Sequence, residues 1–306
     1  MNDTDIYERL KKNIKKGTVR KNADMGEYTS FRTGGRASLL IIPADREELK
    51  ISLNLLSETG TDNIVTGNGS NILVKDGGYR GAVIKLGEAF DSITVRDRII
   101  EAGCGALLSQ VAREAARHGL AGMEFASGIP GSTGGAVFMN AGAYGGEMKD
   151  IVEKAEVISG DGSSEYTLPA DQMDMGYRHS IFCETKDVAV NVFIRLEKGD
   201  PGTIQEKIRE LTARRNSRQP VNLPSAGSFF KRPEGYFAGK LIEDSGLKGI
   251  SVGGAQVSPV HAGFIVNNGG ASASDIIQLM HIIQAAVMDD HGVMLEPEVR
   301  IIGEDA

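Results

Sequence analysis

Cysteine is almost absent from this chain. Among 306 residues only Cys104 and Cys183 occur, far apart and without a CxxC or Cys/His spacing. That excludes a disulfide framework and a thiolate zinc site, and no metal is expected; both thiols read as small buried hydrophobes. Long apolar runs are lacking too. No window reaches the ~18 apolar residues of a membrane span, and the opening stretch MNDTDIYERLKKNIKKG has neither an apolar core nor a small-residue cleavage site. Positive charge is in deficit, with 34 Lys and Arg against 41 Asp and Glu and a net charge of -7. Nucleic-acid binders and membrane-surface proteins want clustered positive charge, so both classes are set aside. The expectation is a cytoplasmic protein with, at most, local basic pockets.

What the chain has in excess is glycine, 39 residues against a usual share of about 7%. That surplus belongs to loops and cofactor turns. The length allows two or three packed cores, since single domains mostly fall near ~100–150 residues.

The glycines concentrate in residues 127–146, SGIPGSTGGAVFMNAGAYGG, which hold seven glycines, one proline and no lysine or arginine. Without a Cβ, glycine turns through φ > 0 and lets its amide approach a ligand closely. A run such as Gly128-Ile129-Pro130-Gly131-Ser132-Thr133-Gly134-Gly135 can thus wrap a flat or phosphorylated cofactor with N–H groups rather than with side chains. A structural hairpin with close backbone packing is the other reading. A second loop lies upstream, where an expected strand over 63–66 opens into Gly67-Asn68-Gly69-Ser70-Asn71. Amides with Ser and Asn side chains suit a pyrophosphate without help from lysine. The loop is neither a Rossmann fingerprint nor a P-loop, and a tight turn between strands is the alternative.

Apolar spacing supplies the coarse secondary structure. Ile6, Leu10 and Ile14 predict an amphipathic helix over 4–16. A strand over 39–42, a helix capped by Asp45 with Leu49, Leu53 and Leu56 inward, and the strand over 63–66 make a βαβ unit. Strands follow over 82–86, 92–95 and 99–101, then a helix over 106–118. The second glycine loop sits between these and strands over 151–159 and 187–196. A polar helix over 201–215 ends in the basic run Arg214-Arg215-Asn216-Ser217-Arg218, read as a linker into a last domain, with either helix-dipole compensation or anion binding as its role. The last domain has a helix near 237–245, strands near 255–257 and 263–267, and a helix over 274–289 stopped by Gly292. A terminal strand over 294–302 places Leu295, Val299 and Ile301 on one face, with Glu296, Glu298 and Arg300 on the other.

Three short motifs remain: Gly176-Tyr177-Arg178-His179-Ser180, Ala226-Gly227-Ser228-Phe229-Phe230-Lys231-Arg232-Pro233, and Leu295-Glu296-Pro297-Glu298-Val299-Arg300. Singly, each has a plain reading: a solvated arginine, a serine at an apolar edge with no GxSxG elbow, and a surface ion pair.

Taken in order with Thr29-Ser30-Phe31-Arg32-Thr33-Gly34-Gly35, the two glycine loops and these three motifs resemble the UDP-N-acetylenolpyruvoylglucosamine reductase (MurB) family of bacterial cell-wall synthesis. The likeness spans nearly the whole chain. It implies an α+β protein: a two-subdomain FAD-binding fold of the vanillyl-alcohol-oxidase type, over 1–88 and 89–200, followed by an α+β substrate-binding domain over 201–306. It further implies non-covalent FAD on Gly67, Asn68, Gly69, Ser70 and Asn71 at the pyrophosphate. Gly128, Pro130, Gly131, Gly134, Gly135, Asn140, Gly142 and Ala143 would lie along the flavin and ribityl chain.

The family's catalytic trio falls on Arg178, Ser228 and Glu298. NADPH reduces the flavin, hydride passes to C3 of the enolpyruvyl double bond, and charge builds at C2 and its carboxylate. Arg178 with protonated Glu298 would stabilise that charge, and Ser228 would donate the proton to C2, with Lys231 a candidate to polarise its hydroxyl. Substrate contacts fall on Tyr177, Arg214, Arg218, Lys231, Arg232 and His261. The chain departs from one branch at Arg218, Arg232 and His261, where that branch has lysine, asparagine and glutamine. It also lacks that branch's substrate-covering tyrosine loop, so it resembles the shorter type. A flavin oxidase of the same fold and a nucleotide-sensing module without turnover are the rival readings.

Overall fold

A computed structural model describes residues 3–306. The chain forms two compact units, each discontinuous in sequence: Met1–Lys21, Leu39–Asn68 and Gly81–Arg214 in the first, and Asn22–Ser38, Gly69–Arg80 and Arg215–Ala306 in the second. The mixed α+β class expected from the sequence is the one observed.

In the first unit, helix α1 (Asp3–Asn13) buries Ile6 and Leu10, and Ile14 is buried just past its end. It stops three residues before the expected end. The amides of Lys15, Lys16 and Gly17 turn instead to the buried carboxylate of Glu48, at 2.8, 2.7 and 2.9 Å. Glu48 lies in α2 (Arg46–Glu58), which Asp45 caps by accepting from the Glu48 amide at 3.0 Å. Leu49, Leu53 and Leu56 of α2 are buried as their spacing predicts.

A four-stranded sheet runs in the order Thr18–Asp24, Arg36–Ile42, Tyr79–Lys85, Asn63–Thr66. Tyr79–Lys85 therefore separates the two strands of the expected βαβ unit. It is parallel to Asn63–Thr66, with Lys85 opposite Thr66.

A five-stranded antiparallel sheet has the order Glu165–Pro169, Val152–Ile158, Val188–Arg195, Ile99–Gly103, Ile93–Arg96. Helix α3 (Leu108–Arg117) adds Leu108, Val111, Ala112 and Ala115 to the core of this sheet. The glycine-rich stretch contains a short helix the spacing did not predict, α4 (Thr133–Phe138). Helix α5 (Phe182–Thr185) carries Cys183, which is exposed, against expectation; Cys104 is buried as expected. Neighbouring Phe182 takes the inward position of that single turn and leaves the thiol outside. Helix α6 (Pro201–Arg218) includes the basic run expected to be a linker, and Pro220 follows it.

The second unit contains α7 (Ala238–Asp244) and α8 (Ala273–His291) with a small sheet, Ser251–Val252, Ala255–Val257 and Ile265–Asn267. Ser272 and Asp275 form a reciprocal cap at the start of α8, and Gly292 ends it at φ +67°, a left-handed conformation suited to glycine. Phe31, Phe229, Ile242, Ile276, Leu279, Ile283 and Leu295 form the core. The expected terminal strand is regular only over Arg300–Ile302, parallel to Ile72–Val74. Pro297, lacking an N–H, interrupts the ladder ahead of it, yet the alternation survives: Leu295 and Val299 are buried while Glu296 and Arg300 are exposed.

Candidate active site

The first unit brings together the start of one glycine loop and the middle of the other. A Cβ on Gly67 would lie 2.0 Å from Ser132 Oγ, so the two segments meet where only glycine fits. On both sides of Ser132 the chain is held by a run of main-chain bonds. Leu108 N donates to Gly131 O at 3.1 Å, Thr133 N to Ala106 O at 2.8 Å, and Gly134 N to Cys104 O at 2.8 Å.

Both readings of the glycines thus have their place. At Gly67, Gly134 and Gly142 a Cβ would strike protein at 2.0 to 2.8 Å, which is close packing. At Gly135 the nearest atom is Ser132 Oγ at 3.5 Å, and the surface is open. Ser132 borders that opening, its hydroxyl accepting from Gly135 N at 3.4 Å. One neighbour of Gly67 was not singled out by sequence reasoning. Lys85 is half-buried and donates from Nζ to Gly67 O at 3.0 Å. The signal was available, because Lys85 ends a strand that runs beside the one opening into the loop.

Residues 142–147 form a two-residue hairpin. Gly142 pairs with Glu147 and Ala143 with Gly146, while Tyr144 and Gly145 take φ +54° and +90° at its tip. The Arg214 guanidinium lies 5.3 Å from the centre of the Tyr144 ring. Asn140, fully buried, is a tie rather than an open donor. Its Nδ2 reaches Glu147 Oε2 at 2.7 Å and Gly176 O at 2.9 Å, and its Oδ1 accepts from Lys149 N at 2.9 Å.

Through Gly176 this tie fixes the GYRHS motif. Gly176 and His179 exchange main-chain bonds at 3.1 and 3.3 Å, so Tyr177 and Arg178 occupy the tip of a tight turn. Arg178 sits at φ +56°, a conformation strained for a residue with a Cβ. Its guanidinium lies 5.0 Å from the centre of the exposed Tyr177 ring. Ser180, buried, anchors the other side by donating to Phe138 O at 2.7 Å. The main chain at Arg178 is thus held by bonds on both sides of the turn.

In the second unit the GSFFK and LEPEV segments are paired. Glu298 N donates to Phe229 O at 2.8 Å, Lys231 N donates to Glu296 O at 2.8 Å, and Phe230 bridges Pro297. Ser228 is exposed and Glu298 half-buried on neighbouring rungs. Phe229 is buried edge-on to Phe230 at 5.2 Å and to Phe31 at 6.3 Å, which locks the segment from below. Asn71 Nδ2 donates to Glu298 O at 3.1 Å, and Arg300 N donates to Asn71 O at 3.0 Å. The end of the first glycine loop is thereby a support for Glu298, a role its spacing did not disclose. Gly69 in the same loop has φ +61°, and its carbonyl accepts from Ser30 N at 3.0 Å. Ser30 Oγ in turn donates to Ser225 O at 2.6 Å.

The remaining basic candidates have definite surroundings. Lys231 Nζ pairs with Glu296 at 3.2 Å, and Arg232 lies over the Phe237 ring at 4.0 Å. Arg218 is exposed in the last turn of α6. His261 accepts from Gly263 N through Nδ1 at 3.1 Å, and burial pulls its pKa below the usual value.

Residues 37–165 match the family model for an FAD binding domain, and residues 219–302 match that for the C-terminal domain of UDP-N-acetylenolpyruvoylglucosamine reductase. The reductase of that name from Clostridioides difficile strain 630 is 47% identical over 305 residues, covering 100% of both chains. This chain belongs to the UDP-N-acetylenolpyruvoylglucosamine reductase family. The solved structure of the MurB enzyme from Thermus caldophilus is similar at a TM-score of 0.82 and 35% identity, over 94% of this chain and 100% of that one. Phl p 4, a grass pollen allergen with glucose dehydrogenase activity, shares the fold alone, at a TM-score of 0.50 and 13% identity over 64% of this chain and 44% of its own. The fold is therefore the FAD-binding type of the vanillyl-alcohol-oxidase group joined to the reductase C-terminal domain. Among the described residues no helix is long and apolar enough to cross a membrane.

Proposed function

We propose that this chain reduces the enolpyruvyl group of UDP-N-acetylglucosamine enolpyruvate to UDP-N-acetylmuramate with NADPH, through non-covalent FAD, in peptidoglycan precursor synthesis in the cytoplasm. The observation that carries the reading is the pairing of Ser228 and Glu298 segments in a chain related over its full length to reductases of that name. In this reading residues 1–88 and 89–200 hold the cofactor, and 201–306 hold the sugar nucleotide.

When bound, FAD supplies hydride transfer from the nicotinamide to C3 of the double bond. The chain's residues handle the charge and the proton. Arg178 as cation and the Glu298 carboxyl as hydrogen-bond donor are assigned to the charge that develops on C2 and the substrate carboxylate, where preorganised donors are worth most. Ser228 Oγ gives its proton to C2, completing the addition of hydride and proton across the bond. The tight turn at Arg178 and the buried Phe229 beside Ser228 support these roles, because both hold the main chain that carries the side chain. Tyr177, Arg214, Arg218, Lys231, Arg232 and His261 remain the candidates for contacts to the sugar nucleotide.

Purified protein should be yellow, bleach anaerobically with NADPH, and recover its colour on adding the enolpyruvyl sugar nucleotide. Recovery with dioxygen alone would mark an oxidase. No bleaching would mark a sensor without turnover.

A further inference from the structure

Lys85 ends the strand Tyr79–Lys85 and stands opposite Thr66, the last residue of the parallel strand Asn63–Thr66. Both strands deliver their carboxyl ends to one edge, the place where parallel strands take ligands. From that edge the Lys85 ammonium reaches the Gly67 carbonyl oxygen at 3.0 Å, and Gly67 lies directly against Ser132. A cation, a glycine at the start of the loop and a hydroxyl from three parts of the sequence are thereby gathered within the first unit.

The ammonium has three donors, and Gly67 takes one. Among the described residues no carboxylate offsets this charge, and burial lowers the pKa of Lys85 from its usual value. A half-buried cation without a counter-charge is unfavourable by itself. A loop that needed only bracing would be served by a neutral donor. The arrangement becomes favourable when an anion arrives at the loop.

We propose that Lys85 is the cationic anchor for the cofactor diphosphate, holding FAD by charge while it positions the Gly67 turn. The inference rests on the reading that FAD occupies the glycine cradle.

The test follows FAD release from purified holoenzyme by the rise in flavin fluorescence on dilution, for wild type, Lys85→Met and Lys85→Arg, at about 50 and about 500 mM salt. Lys85→Met is expected to release FAD at least about tenfold faster at low salt, with a flatter salt dependence, and Lys85→Arg to stay within about threefold of wild type. On raising pH, wild type should release FAD earlier than Lys85→Arg, whose guanidinium stays charged. Release from Lys85→Met at the wild-type rate, or faster release with unchanged salt dependence, overturns the proposal. If Lys85→Met does not fold, coincident alkaline release profiles of wild type and Lys85→Arg overturn it. Wild-type protein purified from flavin-replete cells without any flavin would instead contradict the FAD reading.

Discussion

The main-chain amide of Glu298 donates to the carbonyl oxygen of Phe229 at 2.8 Å, which sets the residue after Ser228 against Glu298 across nearly 70 positions of sequence. Phe229 is buried, so this rung cannot slide without opening the core of its unit. The main chain that carries Ser228 is therefore fixed against the main chain that carries Glu298. Ser228→Ala should leave flavin bleaching by NADPH unchanged and slow reoxidation by the sugar nucleotide by about 100-fold or more, the usual scale of a lost general acid. Stopped-flow absorbance of the two half-reactions separates these effects. Normal reoxidation would remove Ser228 from the proton transfer.

Asn71 tests the support behind Glu298. Asn71→Ala removes the 3.1 Å bond to the Glu298 carbonyl. A loss of about 1 kcal/mol in stability is expected, typical of one hydrogen bond. The second half-reaction should slow more than the first, because Glu298 loses its fixed position. Urea unfolding and the same stopped-flow assay report the two quantities.

Gly131 has φ +121°, where any Cβ is strained, and its carbonyl fixes the start of α3. Gly131→Val should destabilise by about 1–3 kcal/mol and lower the flavin content of the purified protein. Full flavin occupancy, read from the ratio of flavin to protein absorbance, would count against the cradle.

Asp76 links stability to acid. Its carboxylate accepts from Ala273 N, Ser274 N and Ser274 Oγ at 2.9, 2.8 and 2.6 Å, at the start of α8. Burial works against its ionisation, but the Ser274 hydroxyl and the two amides outweigh it, and the pKa lies below its usual value. A carboxylate with a lowered folded pKa stabilises above its unfolded value, near about 4, and loses that contribution as pH falls through the folded one. Asp76→Ala should cost about 1–2 kcal/mol at neutral pH, with the difference from wild type shrinking below about pH 4. A difference that held constant into acid would show that the ionised form is not what matters.

Cys104 gives the alkaline counterpart. Burial pushes its thiol up to about 12. A group with a raised folded pKa loses its contribution as pH rises, so stability should fall by about 1.4 kcal/mol per pH unit above about 9, where the unfolded thiol ionises first. Cys104→Ala should remove that slope. Thiol labelling of native protein should mark exposed Cys183 and spare Cys104.

The local vocabulary was set by sequence alone. Apolar spacing placed Leu49, Leu53 and Leu56 inward, Asp45 announced the start of a helix, and Gly292 announced the end of another, because caps and periodicity act over a few residues. Ordered motifs also disclosed the family, since each is written in contiguous residues. Tertiary structure decided the long-range pairings: Ser132 against Gly67, Lys85 beneath the same loop, Asn140 on Gly176, and Asn71 behind Glu298. No periodicity encodes these contacts, for each depends on which strand lies beside which. The shortened α1 shows the same division: its spacing continued, but a carboxylate over 30 residues away captured the amides that would have extended it.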